Sequence, residues 1–212
     1  MKNNSSILTI GSFDGVHKGH QSLIKETVRK AKEKNAQSII VTLERPMKNP
    51  HSLLTLLDEK ILRIEAFLPD QIIIIPVPSE ILTLAPSDFF NNFLIGKLNV
   101  AEIICGTDFA FGKNKQGNVS WLKKNAPKLG IKITVIETLT LAAQKISSSN
   151  IRALLSLGEV EKANKLLGYN FDFSGIPFRE KGLGKKLGFP TVNLKVDPSK
   201  LLPHGVFISL IK

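Results

Sequence analysis

Short apolar runs alternate with longer stretches of helical period from the start of the chain to about residue 137. The runs 7–10, 38–43, 71–75, 101–105 and 132–136 are predicted as strands, because they are too short for buried helices and apolar enough for a sheet covered on both faces. Between them, 20–34 places Leu23, Thr27, Val28 and Ala31 on one side of a helix, and 58–68 reads as another, with Thr55 and Asp58 at capping-box spacing. Alternation of this kind predicts an α/β unit built on a five-stranded parallel sheet. After Leu141 two helical segments follow, 148–155 and 159–167, separated by Gly158 and ended by Gly168. From Phe171 glycine and proline become frequent and the helical period disappears, which suits the short strands of an all-β unit. A boundary near 169–172 divides the chain into 1–170 and 171–212.

Composition narrows the partners. With 212 residues and 42% hydrophobic residues, the chain can bury a sizeable core. The first apolar run is far shorter than a secretory or membrane-spanning segment, so a soluble cytoplasmic protein with no membrane partner is expected. A net charge of +11 favours anions. The basic residues are interleaved with acids, however, and one Tyr and one Trp leave little stacking surface, which ranks nucleic acid below small nucleotides. Cys105, the single cysteine, sits in an apolar run and is read as a buried strand thiol. Oligomeric state leaves no mark in the sequence.

The candidate chemistry starts where the first strand ends. Gly11-Ser12-Phe13-Asp14-Gly15-Val16-His17-Lys18-Gly19-His20 runs from that strand into the first helix, the place where open α/β sheets bind ligands. Glycines let a ligand approach the backbone, the free N–H groups of a new helix receive anions, and histidines three residues apart share a face. The same residues also fit a glycine-rich turn with surface histidines. His51 and His204 are too distant in sequence to complete a zinc set. A second anion-binding pattern, Ile146-Ser147-Ser148-Ser149-Asn150-Ile151-Arg152, enters a later helix; by spacing alone it also fits an ordinary capped helix with a solvent-facing arginine.

Together these motifs resemble the nucleotidyltransferase superfamily, and Phe-Asp-Gly-Val-His-x-Gly-His-Gln is similar to its flavin branch, the bacterial bifunctional riboflavin kinase/FAD synthetases. The resemblance implies a Rossmann-like nucleotidyltransferase fold and transfer of the adenylyl group of ATP to FMN, releasing pyrophosphate and FAD with Mg2+. It implies catalytic roles for His17, His20 and Arg152 and ATP-phosphate roles for Gly11, Ser12, Phe13, Asp14, Gly15, Ser148 and Ser149. Cys105-Gly106-Thr107-Asp108-Phe109-Ala110-Phe111-Gly112 resembles the family's flavin or nucleotide segment, implying contacts from Asp108, Phe109 and Phe111, although both phenylalanines also fit a core beneath a loop. One departure stands out: the family's Pro-His-Pro after the second strand is Glu44-Arg45-Pro46-Met47 here. Gly182 to Asn193 resembles the riboflavin kinase signature, so Gly188, Thr191 and Asn193 inherit phosphate and magnesium roles. The kinase resemblance stops at Lys212, before the family's catalytic glutamate, so 171–212 is expected to be an incomplete kinase unit without kinase activity. The alternatives are another nucleotidyltransferase of the superfamily, or a non-catalytic flavin-nucleotide-binding or nucleic-acid-binding protein.

Overall fold

The computed structural model describes residues 5–141, 144–178, 188 and 191–211. Five strands, β1 (Ser6–Gly11), β2 (Gln37–Leu43), β3 (Gln71–Ile75), β4 (Val100–Gly106) and β5 (Lys132–Ile136), pair in parallel in the order β3-β2-β1-β4-β5. All five expected strands are present, each within two residues of its expected bounds. The order changes direction at β1, which opens a crevice at the carboxyl ends of β1 and β4.

Strand parity sends side chains to two cores. Leu8, Ile10, Ile39, Val41, Ile103 and Cys105 pack on one face with Phe89, Phe90, Phe93 and Leu94. Those phenylalanines belong to α3, a composite helix over 86–98 whose middle, Phe89–Ile95, is π-helical. On the other face Ile7, Ile40 and Ile104 meet Ile24 and Ala31 of α1 (Lys18–Glu33) and Ile64 of α2 (Leu57–Glu65). Glu102, fully buried on this second face, is held at about 2 against the upward push of burial by hydrogen bonds from Lys30, Lys34 and Thr134. The Cys105 thiol is buried as expected, and burial pushes it up to about 11.

Two further helices, α4 (Val119–Asn125) and α5 (Ser148–Ser156), start on side-chain caps: Asn118 accepts from the Trp121 N–H at 2.9 Å and Ser147 from the Asn150 N–H at 3.3 Å. The expected capping box at Thr55 and Asp58 does not form. Leu56 is the N-cap of α2, the Glu59 carboxylate accepts its N–H at 2.9 Å, and the Thr55 hydroxyl is turned to Gly15 instead. α6 (Val160–Leu167) packs on α5 and ends at Gly168, and beyond it β6 (Ile176–Phe178) pairs antiparallel with β7 (Asn193–Lys195). Among the described residues no helix is long and apolar enough to cross a membrane.

Candidate functional site

The turn from β1 into α1 is an unusual stretch of backbone. Phe13, Gly15 and Val16 all have positive φ, at 46°, 80° and 32°, and for the two non-glycine residues this costs roughly 1–3 kcal/mol each. Such a conformation persists only where neighbours over-determine it. Asp14, almost fully buried, supplies much of that restraint: one carboxylate oxygen accepts the N–H groups of Leu54 (3.0 Å) and Thr55 (3.1 Å), and the other pairs with Arg152. Burial raises the Asp14 carboxyl above its usual range, against the opposing pull of Arg152, the Thr55 and Leu54 N–H groups and Lys60. The Gly15 N–H donates to the Thr55 hydroxyl at 3.0 Å and its carbonyl accepts from the Tyr169 hydroxyl at 2.6 Å. A side chain at Gly15 would meet Leu54 at 2.8 Å in a conformation that already favours glycine.

Beyond this turn the two histidines stack, with ring centroids 3.6 Å apart and planes 16° from parallel, and the Phe13 ring meets His20 edge-on at 5.2 Å. Gly19 permits the stack, since a Cβ there would lie 3.2 Å from the His17 ring. His17 is the N-cap of α1: its Nδ1 accepts the His20 N–H at 3.3 Å, which leaves Nε2 as the protonated nitrogen of a neutral ring. Burial lowers His17 to about 4 despite the nearby Asp108 charge, and burial, His17 and Lys60 together hold His20 well below 6.5. The His20 Nδ1 is buried without a hydrogen-bond partner among the described residues. Both rings are neutral at pH 7, and protonating two stacked, buried imidazoles is unfavourable.

These shifts predict an acid sensitivity. The unfolded chain protonates His17 below about pH 6.5, whereas the folded chain does so only near 4, so this residue subtracts stability as pH falls between those values. His17→Asn keeps a capping oxygen and removes the titration. Chemical denaturation should show that the substituted protein loses about 2 kcal/mol less than the parent between pH 7 and pH 5; equal losses would contradict the assignment.

The rings open into a cleft of about 370 Å³ at the carboxyl ends of β1, β4 and β5. It brings together Ser12, His17, His20, Asp108, Ser148 and Ser149 from the expected set and adds Lys48, Glu137, Thr138 and Lys145. Asp108 reaches across its mouth to Lys145 at 3.0 Å. The N-terminus of α5 faces the cleft, although Ser147 rather than Ser148 caps it, and the Ser148 hydroxyl donates to the Asp14 carbonyl at 2.9 Å. A larger hollow of about 480 Å³ beside β3 contains none of these groups.

Other expected residues lie elsewhere. The Arg152 guanidinium is turned away from the cleft, donating through Nε to the Ser52 carbonyl at 2.6 Å and pairing with Asp14. Phe13, Asp14 and Gly15 build the turn from beneath, and Gly11 sits against the Phe13 ring. Phe111 is buried between Phe89 and Trp121, with Phe109 stacked on it at 5.6 Å, so both pack on the core side of their loop. Thr191 is exposed, Asn193 belongs to β7 and Gly188 has φ 81°; none lines the cleft. Gly182 to Leu187, Phe189 and Pro190 lie outside the described residues.

Glu137 and Thr138 directly follow β5, so the rule that ligands gather at parallel strand ends was the signal that pointed to them. Lys60, which was also missed, lies under the turn. Its buried ammonium donates to the carbonyls of Leu43 (2.5 Å), Glu44 (3.2 Å) and Ser12 (3.3 Å), tying β1 to β2, and burial lowers it to about 8 against the pull of Asp14 and Glu44.

A parallel sheet that feeds its first strand into paired neutral imidazoles, faced by a second helix N-terminus, defines an α/β protein of the nucleotidyltransferase class. The FAD synthetase family model matches residues 1–150, and the riboflavin kinase model matches 167–212. The chain belongs to the FAD synthetase family. It is 36% identical to the bifunctional riboflavin kinase/FMN adenylyltransferase of Buchnera aphidicola subsp. Schizaphis graminum, over 97% of this chain and 68% of that protein. The protein of the same description from Listeria monocytogenes is 32% identical, over 96% of this chain and 67% of its own length. The crystal structure of macrolide-efflux protein from Streptococcus pneumoniae matches with a TM-score of 0.82 at 24% identity, over 96% of this chain and 70% of that one, a likeness that shows the fold.

Proposed function

We propose that the chain is an FMN adenylyltransferase, with residues 1–170 as the transferase unit and 171–212 belonging to a riboflavin kinase unit. An oxygen of the FMN phosphate attacks the α-phosphorus of ATP; a new P–O bond forms while the bond to the β-phosphate breaks, giving FAD and pyrophosphate. The observation that carries this reading is the convergence of His17, His20 and the α5 N-terminus on one cleft in a chain of the FAD synthetase family.

The protein's task is to hold two anions in line and stabilise charge that develops between them. On this reading His17 Nε2–H and His20 donate to the α-phosphate and the leaving group. The N–H groups of Ser148 and Ser149 open the α5 helix and receive the terminal phosphates, and Lys48 and Lys145 add positive charge at the rim. Arg152 acts by holding Asp14 and so the shape of the turn. Among the described residues no cluster of three metal-ligating side chains forms a cage, but the carboxylates of Asp108 and Glu137 offer hard oxygens beside the phosphates. This donor set fits Mg2+ delivered with ATP, and the ion would neutralise phosphate charge there. The same reading places the protein in the cytoplasm with its nucleotide substrates.

The test is FAD and pyrophosphate formation from FMN, ATP and magnesium. One FAD per pyrophosphate is expected, and riboflavin should give none without prior phosphorylation, because it lacks the attacking phosphate oxygen. A folded sample that binds ATP but forms no FAD would overturn the reading.

A further inference from the structure

The stretch matched by riboflavin kinase reaches back into the adenylyl side through one buried lysine. Lys200 is 5% exposed, with its ammonium donating to the Leu54 carbonyl (2.8 Å) and to Glu59 (2.5 Å), beneath the Phe171 ring. Around it the Leu53 N–H donates to the Ser199 carbonyl (2.7 Å) and the Leu201 N–H to the Leu53 carbonyl (2.9 Å). Glu59 also accepts the N–H and hydroxyl of Ser174. Residues 52–56 therefore form a strap gripped from both sides: Leu54 gives its carbonyl to Lys200 and its N–H to Asp14, and Ser52 gives its carbonyl to Arg152.

We propose that Lys200 is a positioning residue for the phosphate-binding turn, so that the riboflavin-kinase-like stretch sets the ATP affinity of the transferase cleft. The proposal rests on the adenylyltransferase reading for the identity of the nucleotide. The turn's positive-φ backbone is held by contacts from outside itself, and Asp14 meets the strap at Leu54 and Thr55. Releasing Lys200 frees the outer side of that strap. A buried charge whose partner is removed is also left uncompensated, so the strap shifts rather than persisting unchanged. If Lys200 served only to fasten 197–201 to the surface, its loss would lower stability and leave nucleotide affinity untouched. Coupling is reciprocal: ATP bound at the turn must tighten the seam at Leu53.

The experiment uses the full chain. Lys200→Met keeps the stem and removes the charge; calorimetry should show the Kd for ATP with magnesium raised about tenfold, with Lys200→Arg recovering most of the loss. In the unsubstituted protein, added ATP should slow hydrogen exchange at the Leu53 and Leu201 amides. A folded Lys200→Met protein with unchanged Kd overturns the proposal, as does unchanged exchange at Leu53 and Leu201 while the Gly15 amide gains protection. Should Lys200→Met not fold, the exchange result on the unsubstituted chain decides alone. Binding and exchange are read without turnover, so an unsubstituted chain that binds ATP but forms no FAD overturns the adenylyltransferase reading and not the coupling; one that binds no ATP overturns both.

Discussion

His20→Ala lowers the rate of FAD formation by about 10²–10³-fold, a loss of the size seen when one preorganised donor to a developing negative charge is removed. The ring is fixed by the stack on His17 and the edge of Phe13, so it needs little reorganisation when charge develops. Its depressed pKa keeps it neutral before ATP binds, and a phosphate beside it favours a donating nitrogen. The effect falls mainly on kcat, because ATP still meets the α5 N-terminus and the lysines of the rim. His17→Ala is the less clean test, since it also removes the cap of α1, worth about 1 kcal/mol. Single-turnover kinetics with saturating ATP would separate the two; a loss below about threefold for His20→Ala would remove this ring from the chemistry.

Asp14→Ala destabilises the fold by about 3–5 kcal/mol, as expected when a buried ion pair loses one partner. Two N–H groups lose their acceptor, the Arg152 guanidinium, on a side chain only 12% exposed in the intact pair, loses its carboxylate, and the strained turn loses its main internal anchor. Asp14→Asn loses less, because its amide oxygen still accepts from Leu54 and Thr55. Arg152→Ala alone strands the carboxylate, so the double replacement should cost less than the two single losses together. Urea denaturation of the four proteins completes the cycle. Strict additivity would show that the pair contributes nothing to holding the turn.

The sheet was legible because each strand is a short apolar run, and the cleft was legible because its histidines and serines sit where strands end and helices begin. Three features were not. Helix α3 was passed over: its Phe89, Phe90, Phe93 and Leu94 do share one helical face, but Asn91, Asn92 and Gly96 in the same short window are weak helix formers, and the middle of the helix is π-helical. The capping residue of α2 was misplaced because Thr55, the better capping side chain by type, is used for a tertiary contact with Gly15. Arg152 three residues after Ser149 fits an anion ligand on a helical wheel. What turns it away is Asp14, 138 residues earlier in the chain, which no local pattern contains.

The turn between β1 and α1 is synthesised well before its supports. Asp14 waits for Arg152, Gly15 for Tyr169 and Leu54 for Lys200, across separations of 138, 154 and 146 residues. At ribosomal speeds of about 5–20 residues per second, a nascent chain spends on the order of ten seconds or more with its leading strands made and these partners still absent. Long-range closures of this kind are also the slow ones to form. The consequence is a temporal order in biogenesis: the sheet can assemble early, whereas the turn gains its full set of supports only when the residues around 200 have left the exit tunnel and docked.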